Sequence, residues 1–165
     1  MSTRKPLDPT ETTLAAGLAS HLIRLQHVGH IVTDIEDAIA SYQRIYGLDE
    51  SSIRRVPDQG ENTLSRFAFL DVAGTEFELI EPVSERFKAL LFSVPSGAGG
   101  INHLAWRVRD LDGALSRLAE DGIRPGFVTP DGPVSLPDKR MVYLDPATTE
   151  GILVELLEYH SDVTR

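Results

Sequence analysis

The chain repeats itself at a fixed spacing. Residues 26–35 (QHVGHIVTDI) run parallel to residues 102–111 (NHLAWRVRDL), and His27 aligns with His103 at an offset of 76 residues. Further on, Glu78 aligns with Glu155 at an offset one residue longer. Near-equal offsets over such a distance indicate that whole structural units are duplicated, because a repeat of this length is one supersecondary unit.

Each copy has the pattern of one strand, one helix and three further strands. The first strand ends in an aspartate, apolar residues then recur at helical spacing, and a glycine follows the helix. Among the later strands, residues 64–72 and 141–144 are the clearest. We therefore predict an α+β fold of two tandem βαβββ modules, residues 25–82 and 101–158, related by an approximate twofold axis.

The two modules are expected to form a single domain over residues 25–165. The first 24 residues begin with a polar stretch containing two prolines, which predicts a tail. Leucines spaced three or four residues apart then predict a short amphipathic helix that leads into the domain. These leucines are Leu14, Leu18, Leu22 and Leu25.

Four residues of metal-ligand type recur at matching positions of the two copies. Each copy has a histidine early in its first strand and a glutamate in its last. If the modules pack about a pseudo-twofold axis, His27, Glu78, His103 and Glu155 converge on one point. Two imidazoles and two carboxylates suit a divalent first-row ion and leave positions open for water or substrate. Cobalt, manganese, nickel, zinc and iron(II) are all compatible with this set.

Strand alternation places further residues on the same face as the two histidines. Gly29 would share the face of His27, and Ala105 and Arg107 would share the face of His103. The small residues Gly29 and Ala105 would leave space for a substrate beside the metal. Arg107 would lie on the cavity face, where it could pair with a substrate carboxylate, and a surface role at the strand end is the alternative.

The histidines and glutamates also have a structural interpretation. A strand histidine is more often a hydrogen-bonded structural residue than a ligand, and a strand glutamate usually faces solvent. We adopt this interpretation for His21, His30 and His160. For the four repeated residues we favour the metal site, because buried acids between apolar neighbours are costly unless they are paired or metal-bound.

Composition restricts the partners of the chain. It has 16 basic and 25 acidic residues, a net charge of -9, which disfavours nucleic acid and anionic membranes. No cysteine is present, so thiolate ligands and disulfides are excluded. No stretch approaches the ~20 apolar residues of a membrane span, and the start of the chain lacks the layout of a secretory signal. We expect a cytoplasmic protein.

The repeated motifs resemble those of the vicinal-oxygen-chelate superfamily, which includes glyoxalase I, extradiol dioxygenases, fosfomycin and bleomycin resistance proteins and methylmalonyl-CoA epimerase. The motifs are residues 25–32 (LQHVGHIV), 78–82 (ELIEP), 99–108 (GGINHLAWRV) and 151–156 (GILVEL). The match covers residues 25 to about 159 and is most similar to the methylmalonyl-CoA epimerase branch. The resemblance implies a partly closed mixed sheet around one divalent metal ion, and a homodimer.

The same resemblance implies an epimerase or isomerase that acts through an enolate. Its substrate would be methylmalonyl-CoA or a related acid or thioester. Glu78 and Glu155 would flank the metal as acid and base, and the loop residue Glu61 is a further candidate for one of these roles. The loop over residues 132–139 lacks the glycine-rich stretch of the epimerase pattern, so the choice between a coenzyme A thioester and another acid as the substrate stays open.

Three other functions within the superfamily are alternatives. Bacterial-type glyoxalase I resembles the chain in its His, Glu, His, Glu ligand set and is the nearest alternative. Extradiol dioxygenases need iron and three protein ligands, so Glu78 as a fourth ligand argues against oxygen activation. A drug-sequestering protein would bind its small molecule without a metal.

Overall fold

The computed structural model describes residues 18–56, 64–91 and 100–160. Its strands are β1 (Leu22–Ile31), β2 (Ile53–Val56), β3 (Ser65–Val72), β4 (Thr75–Pro82), β5 (Gly100–Val108), β6 (Val134–Ser135), β7 (Lys139–Tyr143) and β8 (Val154–Tyr159). The helices are α1 (Ile35–Tyr46), α2 (Glu85–Leu91) and α3 (Leu111–Glu120). Short 3-10 turns cover Leu18–Ser20, Glu50–Ser52 and Pro146–Thr148. Across these ranges, no helix combines the length and apolar character needed to cross a bilayer.

The strands form one mixed sheet in the order β2-β3-β4-β1-β5-β8-β7-β6. The first strand of each module pairs in parallel with the last strand of that module, β1 with β4 and β5 with β8. At the centre, β1 and β5 pair antiparallel and join the modules. The strand order read outward from this centre is the same in both directions, as expected for two modules related by an approximate twofold axis. The predicted α+β fold of two βαβββ modules is confirmed.

Repeated acidic residues fix the start of the main helix in each module. Asp34 accepts a hydrogen bond from the backbone N–H of Asp37, and Asp110 does the same for Gly113, so both cap a helix N-terminus. Glu81 and Glu158 also accept hydrogen bonds from the first helical N–H groups of α1 and α3. These contacts hold the helices on the outer face of the sheet, away from the face that carries the repeated histidines.

Each module has its own apolar core between the helix and the sheet. Burying these side chains stabilises the modules in proportion to the apolar area removed from water. The first core contains Val32, Ile35, Ile39, Ala68, Leu70 and Leu79. The second contains Val108, Leu111, Ala114, Leu118, Val142, Leu144 and Leu156.

The predicted leading helix is wrong for the part that the structure describes. Leu22 and Leu25 lie in β1, which pairs with β5 from Leu22 onward, and Leu18 begins a 3-10 turn. Leu18 and Leu22 nevertheless pack against the second core. The leucine spacing therefore reflects contact with a core rather than a helix, because strand pairing overrides a short periodic pattern. Leu14 lies outside the described residues.

Candidate metal centre

The antiparallel pairing of β1 and β5 brings the two repeated histidines together. His27 lies opposite Ala105, and Gly29 lies opposite His103, so each imidazole faces a small residue on the neighbouring strand. The register shifts on both sides of this segment, between Leu25 and His27 and again after Gly29. Such bulges re-aim side chains and are common next to functional sites. The two Nε2 atoms are 3.1 Å apart.

The two repeated glutamates reach the same point from the strands on either side. Glu78 of β4 is in register with Gly29, and Glu155 of β8 is in register with Ala105. The Nε2 atom of His27 is 3.3 Å from Oε2 of Glu78 and 3.2 Å from Oε2 of Glu155. The corresponding distances from Nε2 of His103 are 3.4 and 3.5 Å. One carboxylate oxygen from each module therefore meets both imidazoles.

The cluster is buried, and its charges depend on one another. His27, His103 and Glu155 are at most 5% exposed, and the Glu78 side chain is 13% exposed. Burial lowers the pKa of His27, but hydrogen bonds with Glu155 and Glu78 and the charges of these carboxylates outweigh it and raise the pKa to about 10. Burial raises the pKa of Glu78, but hydrogen bonds and charges of His103 and His27 hold it well below its usual range. Without a metal, the site is therefore held by ion pairs.

We expect the metal-free protein to lose stability on the alkaline side because of His27. Its folded pKa of about 10 lies above its ordinary value of 6.5, so the protonated imidazole stabilises the fold fully below pH 6.5. This contribution declines as pH rises and is lost above about pH 10. Chemical denaturation in the presence of a chelator, compared with the H27Q variant across this range, measures it. A difference between the two proteins that does not change with pH would contradict the assignment.

The donor set fits a divalent metal ion. Nε2 of His27 carries one proton or one lone pair, yet three polar atoms lie within 3.3 Å of it. Ligands at about 2.1 Å from one ion are separated by roughly 3.0–3.4 Å, close to the separations observed. His27, His103 and Glu155 each offer a ligand atom within 4.8 Å of the others. The set consists of nitrogen and oxygen donors, which suits first-row divalent ions.

The centre lies at the junction of two modules of a known kind. A family model described as the Glyoxalase/Bleomycin resistance protein/Dioxygenase superfamily matches residues 26–143. The chain belongs to this superfamily. The resemblance inferred from the four repeated motifs is confirmed.

Two relatives and one solved structure that the chain resembles are epimerases by name. The chain is 32% identical over 133 residues to an ethylmalonyl-CoA/methylmalonyl-CoA epimerase of Cereibacter sphaeroides, covering 81% of this chain and 96% of that protein. It is 29% identical over 155 residues to the human mitochondrial methylmalonyl-CoA epimerase, covering 94% and 82% of the two chains. The crystal structure of methylmalonyl-CoA epimerase from Mycobacterium tuberculosis matches with a TM-score of 0.64 and 28% identity, covering 93% and 97%.

Gly29 has a different role from the one predicted. A Cβ atom at this position would lie 2.1 Å from Cε1 of His103 and within 2.7 Å of both ring nitrogens. The space beside Gly29 is therefore filled by the His103 imidazole and not left for a substrate. Glycine is required here because any side chain would displace a metal-ligand candidate.

We expect the G29A variant to lose most of its affinity for a divalent ion. The added methyl group would push the His103 ring from its place, and removing one ligand from a four-ligand set is expected to lower affinity by more than about 100-fold. Competition with a chromophoric chelator measures the affinity. The A105G variant, at the repeat-related position, removes bulk instead of adding it and should retain the ion. Equal affinities of G29A and the unmodified protein would contradict this account.

The other predicted substrate contacts lie in different surroundings. Ala105 is fully buried opposite His27. Arg107 is 8% exposed, lines a cavity next to His27, and places its guanidinium 4.9 Å from the ring centroid of Tyr159. A surface position at the strand end is thus wrong for Arg107, although its role toward a substrate stays a prediction. Glu61 lies outside the described residues.

The histidines assigned to structural roles make separate contacts. His30 Nδ1 lies 2.9 Å from the hydroxyl of Tyr42 on α1, and His160 Nε2 bonds the backbone carbonyl of Leu136. Among the described residues, neither histidine joins the candidate metal cluster. His21 precedes β1, and its carbonyl accepts a hydrogen bond from the N–H of Arg109.

Two aromatic residues at the centre were not predicted from the sequence. Phe69 and Tyr143 are the cross-strand partners of Glu78 and Glu155, and their rings stand edge-on to those of His27 and His103. Burial, and then the charges of Glu155 and Glu78, raise the pKa of Tyr143 well above its ordinary value, so its hydroxyl stays neutral. Phe69 and Tyr143 both lie in the strand that precedes the last strand of their module, and this correspondence could have identified them.

A cavity of about 970 Å³ opens beside the centre. His27 and Glu78 form part of its wall, together with the rings of Phe67 and Phe69. Acidic residues Glu76 and Asp138 also line it. The lining also includes the four basic side chains Arg24, Arg54, Arg107 and Lys139, which are called the cationic rim below. With Glu78, the lining therefore has three acidic side chains against four basic ones, a small excess of positive charge in a chain of net charge -9 that favours an anionic ligand.

Proposed function

We propose that this chain is a metal-dependent epimerase that inverts the carbon between the thioester carbonyl and the carboxylate of methylmalonyl-CoA or a related acyl-CoA. The observation that carries the proposal is the convergence of one histidine and one glutamate from each module on a single buried point. The relatives named as methylmalonyl-CoA epimerases support it. The ion is one of cobalt, manganese, nickel, zinc or iron(II).

The roles of the residues follow from the chemistry of this carbon. His27, Glu78, His103 and Glu155 would hold the ion, which supplies positive charge where the negative charge of an enolate develops. A base removes the proton, and the electron pair of the C–H bond moves into the thioester carbonyl. An acid on the other face then returns a proton to the same carbon. We assign these two tasks to Glu155 and Glu78, with Glu61 as a further candidate.

The cationic rim supports a coenzyme A thioester as the substrate. Coenzyme A carries phosphate groups at the end away from its thioester, and the basic side chains that line the cavity would pair with them. Arg54 lies 4.0 Å over the ring of Phe69, and Lys139 lies 5.7 Å over the ring of Tyr159. Both cations are thereby held on aromatic surfaces next to the cavity, which lowers the entropy lost on binding.

We expect the double variant R54A/K139A to raise KM for methylmalonyl-CoA by roughly 10-fold or more, which corresponds to about 1.4 kcal/mol of binding. The effect should disappear with the methylmalonyl thioester of pantetheine, which lacks phosphate groups. K88A on α2 is the control, since Lys88 is paired with Glu85 outside the cavity. An equal rise in KM for both thioesters would exclude a phosphate-binding role of the rim.

Glyoxalase I activity is the second candidate, because the superfamily's bacterial-type glyoxalases resemble this chain in the His, Glu, His, Glu set. Its substrate, a glutathione adduct, carries carboxylates but no phosphates. Parallel assays of one cobalt-loaded preparation with methylmalonyl-CoA and with the glutathione adduct of methylglyoxal distinguish the two. We expect turnover of the thioester alone. A protein that is purified without bound metal and stays inactive on both substrates after cobalt is added would instead favour a sequestering protein.

The oligomeric state and the location of the protein are also proposals. We propose a homodimer, as the superfamily resemblance implies, and light scattering after gel filtration tests it. We propose a cytoplasmic location, because the sequence has neither a stretch long and apolar enough for a membrane span nor the layout of a secretory signal. Cell fractionation tests this location.

A further inference from the structure

His103 makes a buried hydrogen bond on the side of its ring that faces away from the cluster. Its Nδ1 atom lies 2.9 Å from Oδ1 of Asn102, the preceding residue. Asn102 is 6% exposed and His103 is 1% exposed, so water does not compete strongly for this bond. Since Oδ1 is an acceptor only, the proton of the bond resides on Nδ1 of His103.

This bond decides what the opposite nitrogen can do. A neutral imidazole carries one proton, so a proton on Nδ1 leaves a lone pair on Nε2. Nε2 of His103 is the atom that faces Glu78, Glu155 and His27. An amide turned the other way would donate to Nδ1 and place the proton on Nε2, where it would block metal coordination.

The repeat-related position does not provide the same contact. Gln26 precedes His27 as Asn102 precedes His103, but its side-chain oxygen accepts hydrogen bonds from Arg24. The side-chain oxygen that corresponds to Oδ1 of Asn102 is thus bonded to Arg24, and no bond from it to His27 is seen among the described residues. The two halves of the pseudosymmetric centre therefore differ in how firmly they fix their histidine.

Asn102 is also an unfavourable residue for the fold by itself. Its Nδ2 atom is buried and has no hydrogen-bond partner among the described residues. A buried donor without a partner is destabilising, because it gives up its hydrogen bond to water and gains none. An apolar residue of similar size would avoid this cost but would also remove the bond to His103, so that bond is the one contact of the amide that can favour its presence here.

We propose that Asn102 is a positioning residue that holds His103 in the Nδ1–H tautomer and so keeps Nε2 ready for the metal. The inference rests on the proposed metal centre but concerns the bond between Asn102 and His103, which forms without the ion. Partners of this kind on metal-binding histidines typically change metal affinity by about 10- to 100-fold.

Three variants test this proposal, N102L, N102A and N102D. Two-bond proton–nitrogen NMR spectra of the metal-free protein, recorded where His103 is neutral, report its tautomer, and chelator competition reports affinity for cobalt(II). We expect N102L and N102A to populate the Nε2–H form and to bind cobalt(II) about 10- to 100-fold more weakly. The unfolding free energy of N102L without metal should stay close to that of the unmodified protein, because this variant loses one buried hydrogen bond and one unpaired buried donor together. N102D, which keeps the acceptor, should retain the Nδ1–H form, and Q26L is the repeat-related control.

The possible failures are distinguishable. An unchanged tautomer and affinity in N102L would overturn the proposal, and unfolding of both apolar variants without metal would assign Asn102 to the fold instead. If the unmodified protein binds no divalent ion, the metal centre fails, while the NMR tautomer still tests the role of Asn102.

Discussion

Replacing His103 with alanine is expected to abolish metal retention and epimerase activity together. The Nε2 atom of His103 lies 3.1 Å from Nε2 of His27 and 3.4 and 3.5 Å from the oxygens of Glu78 and Glu155. Its loss removes one of two nitrogen donors and leaves two buried carboxylates with a single imidazole. Loss of a residue that only hydrogen-bonds to a metal ligand weakens metal binding by about 10- to 100-fold. Loss of the ligand itself should therefore weaken metal binding by more than this.

Metal content after dialysis and turnover of the same sample measure the H103A effect. The H30A variant is the matched control, since His30 lies on β1 only three residues from His27 but faces Tyr42 of α1. H30A should retain the ion. An H103A protein that keeps a stoichiometric ion would show that the metal binds elsewhere.

Glutamine at Glu155 is expected to slow proton exchange at the substrate carbon by roughly 100- to 10,000-fold, the usual contribution of a general base. The amide oxygen can still coordinate an ion, so metal retention should fall less than activity. E78Q, at the repeat-related position, shows how the two acid and base roles are divided. Glu155 is the more deeply buried of the two, with 5% against 13% of its side chain exposed.

Exchange of the substrate proton with deuterated solvent and inversion of configuration are measured separately for E155Q and E78Q. A variant that blocks inversion but still exchanges the proton has lost only one of the two groups. If E155Q retains the ion and exchanges at the unmodified rate, Glu155 is not the base.

Neither module contains the whole centre. Each supplies one histidine and one glutamate, and the antiparallel contact of β1 with β5 brings the four side chains together. The ion-binding site therefore depends on the pairing of the modules, and its buried charges are balanced only when both are present. A substrate held at this junction has one carboxylate from each module beside it, which suits a reaction needing an acid and a base on opposite faces.

The repeat was sufficient to predict the modules and their histidines and glutamates, because both copies keep chemically matched residues at nearly one offset. It was not sufficient to explain Gly29. Alternation along one strand placed Gly29 on the cavity face. The side chain that occupies the space beside it belongs to His103, which lies on the neighbouring strand. That contact depends on cross-strand register, which bulges in β1 shift and which a single sequence does not fix.

Two other features could not be predicted from local sequence patterns. Leu22 and Leu25 fit a helical period, yet pairing with β5 makes them a strand. The hydrogen bond between Asn102 and His103 involves adjacent residues, but only the burial of both gives it weight. Propensity and period describe the chain in isolation, whereas these features depend on tertiary contacts.

The central claim is that the four-residue centre uses a divalent ion to remove and return a proton on one carbon of an acyl-CoA. This carbon lies between the thioester carbonyl and the carboxylate. Deuterium incorporation at that carbon of methylmalonyl-CoA, followed by mass spectrometry in heavy water, tests it most directly. We predict incorporation with inversion in the cobalt-loaded protein, loss after chelation, and recovery when cobalt is returned. Incorporation at the same rate in the metal-free protein, or none with any of the five candidate ions, would contradict the account.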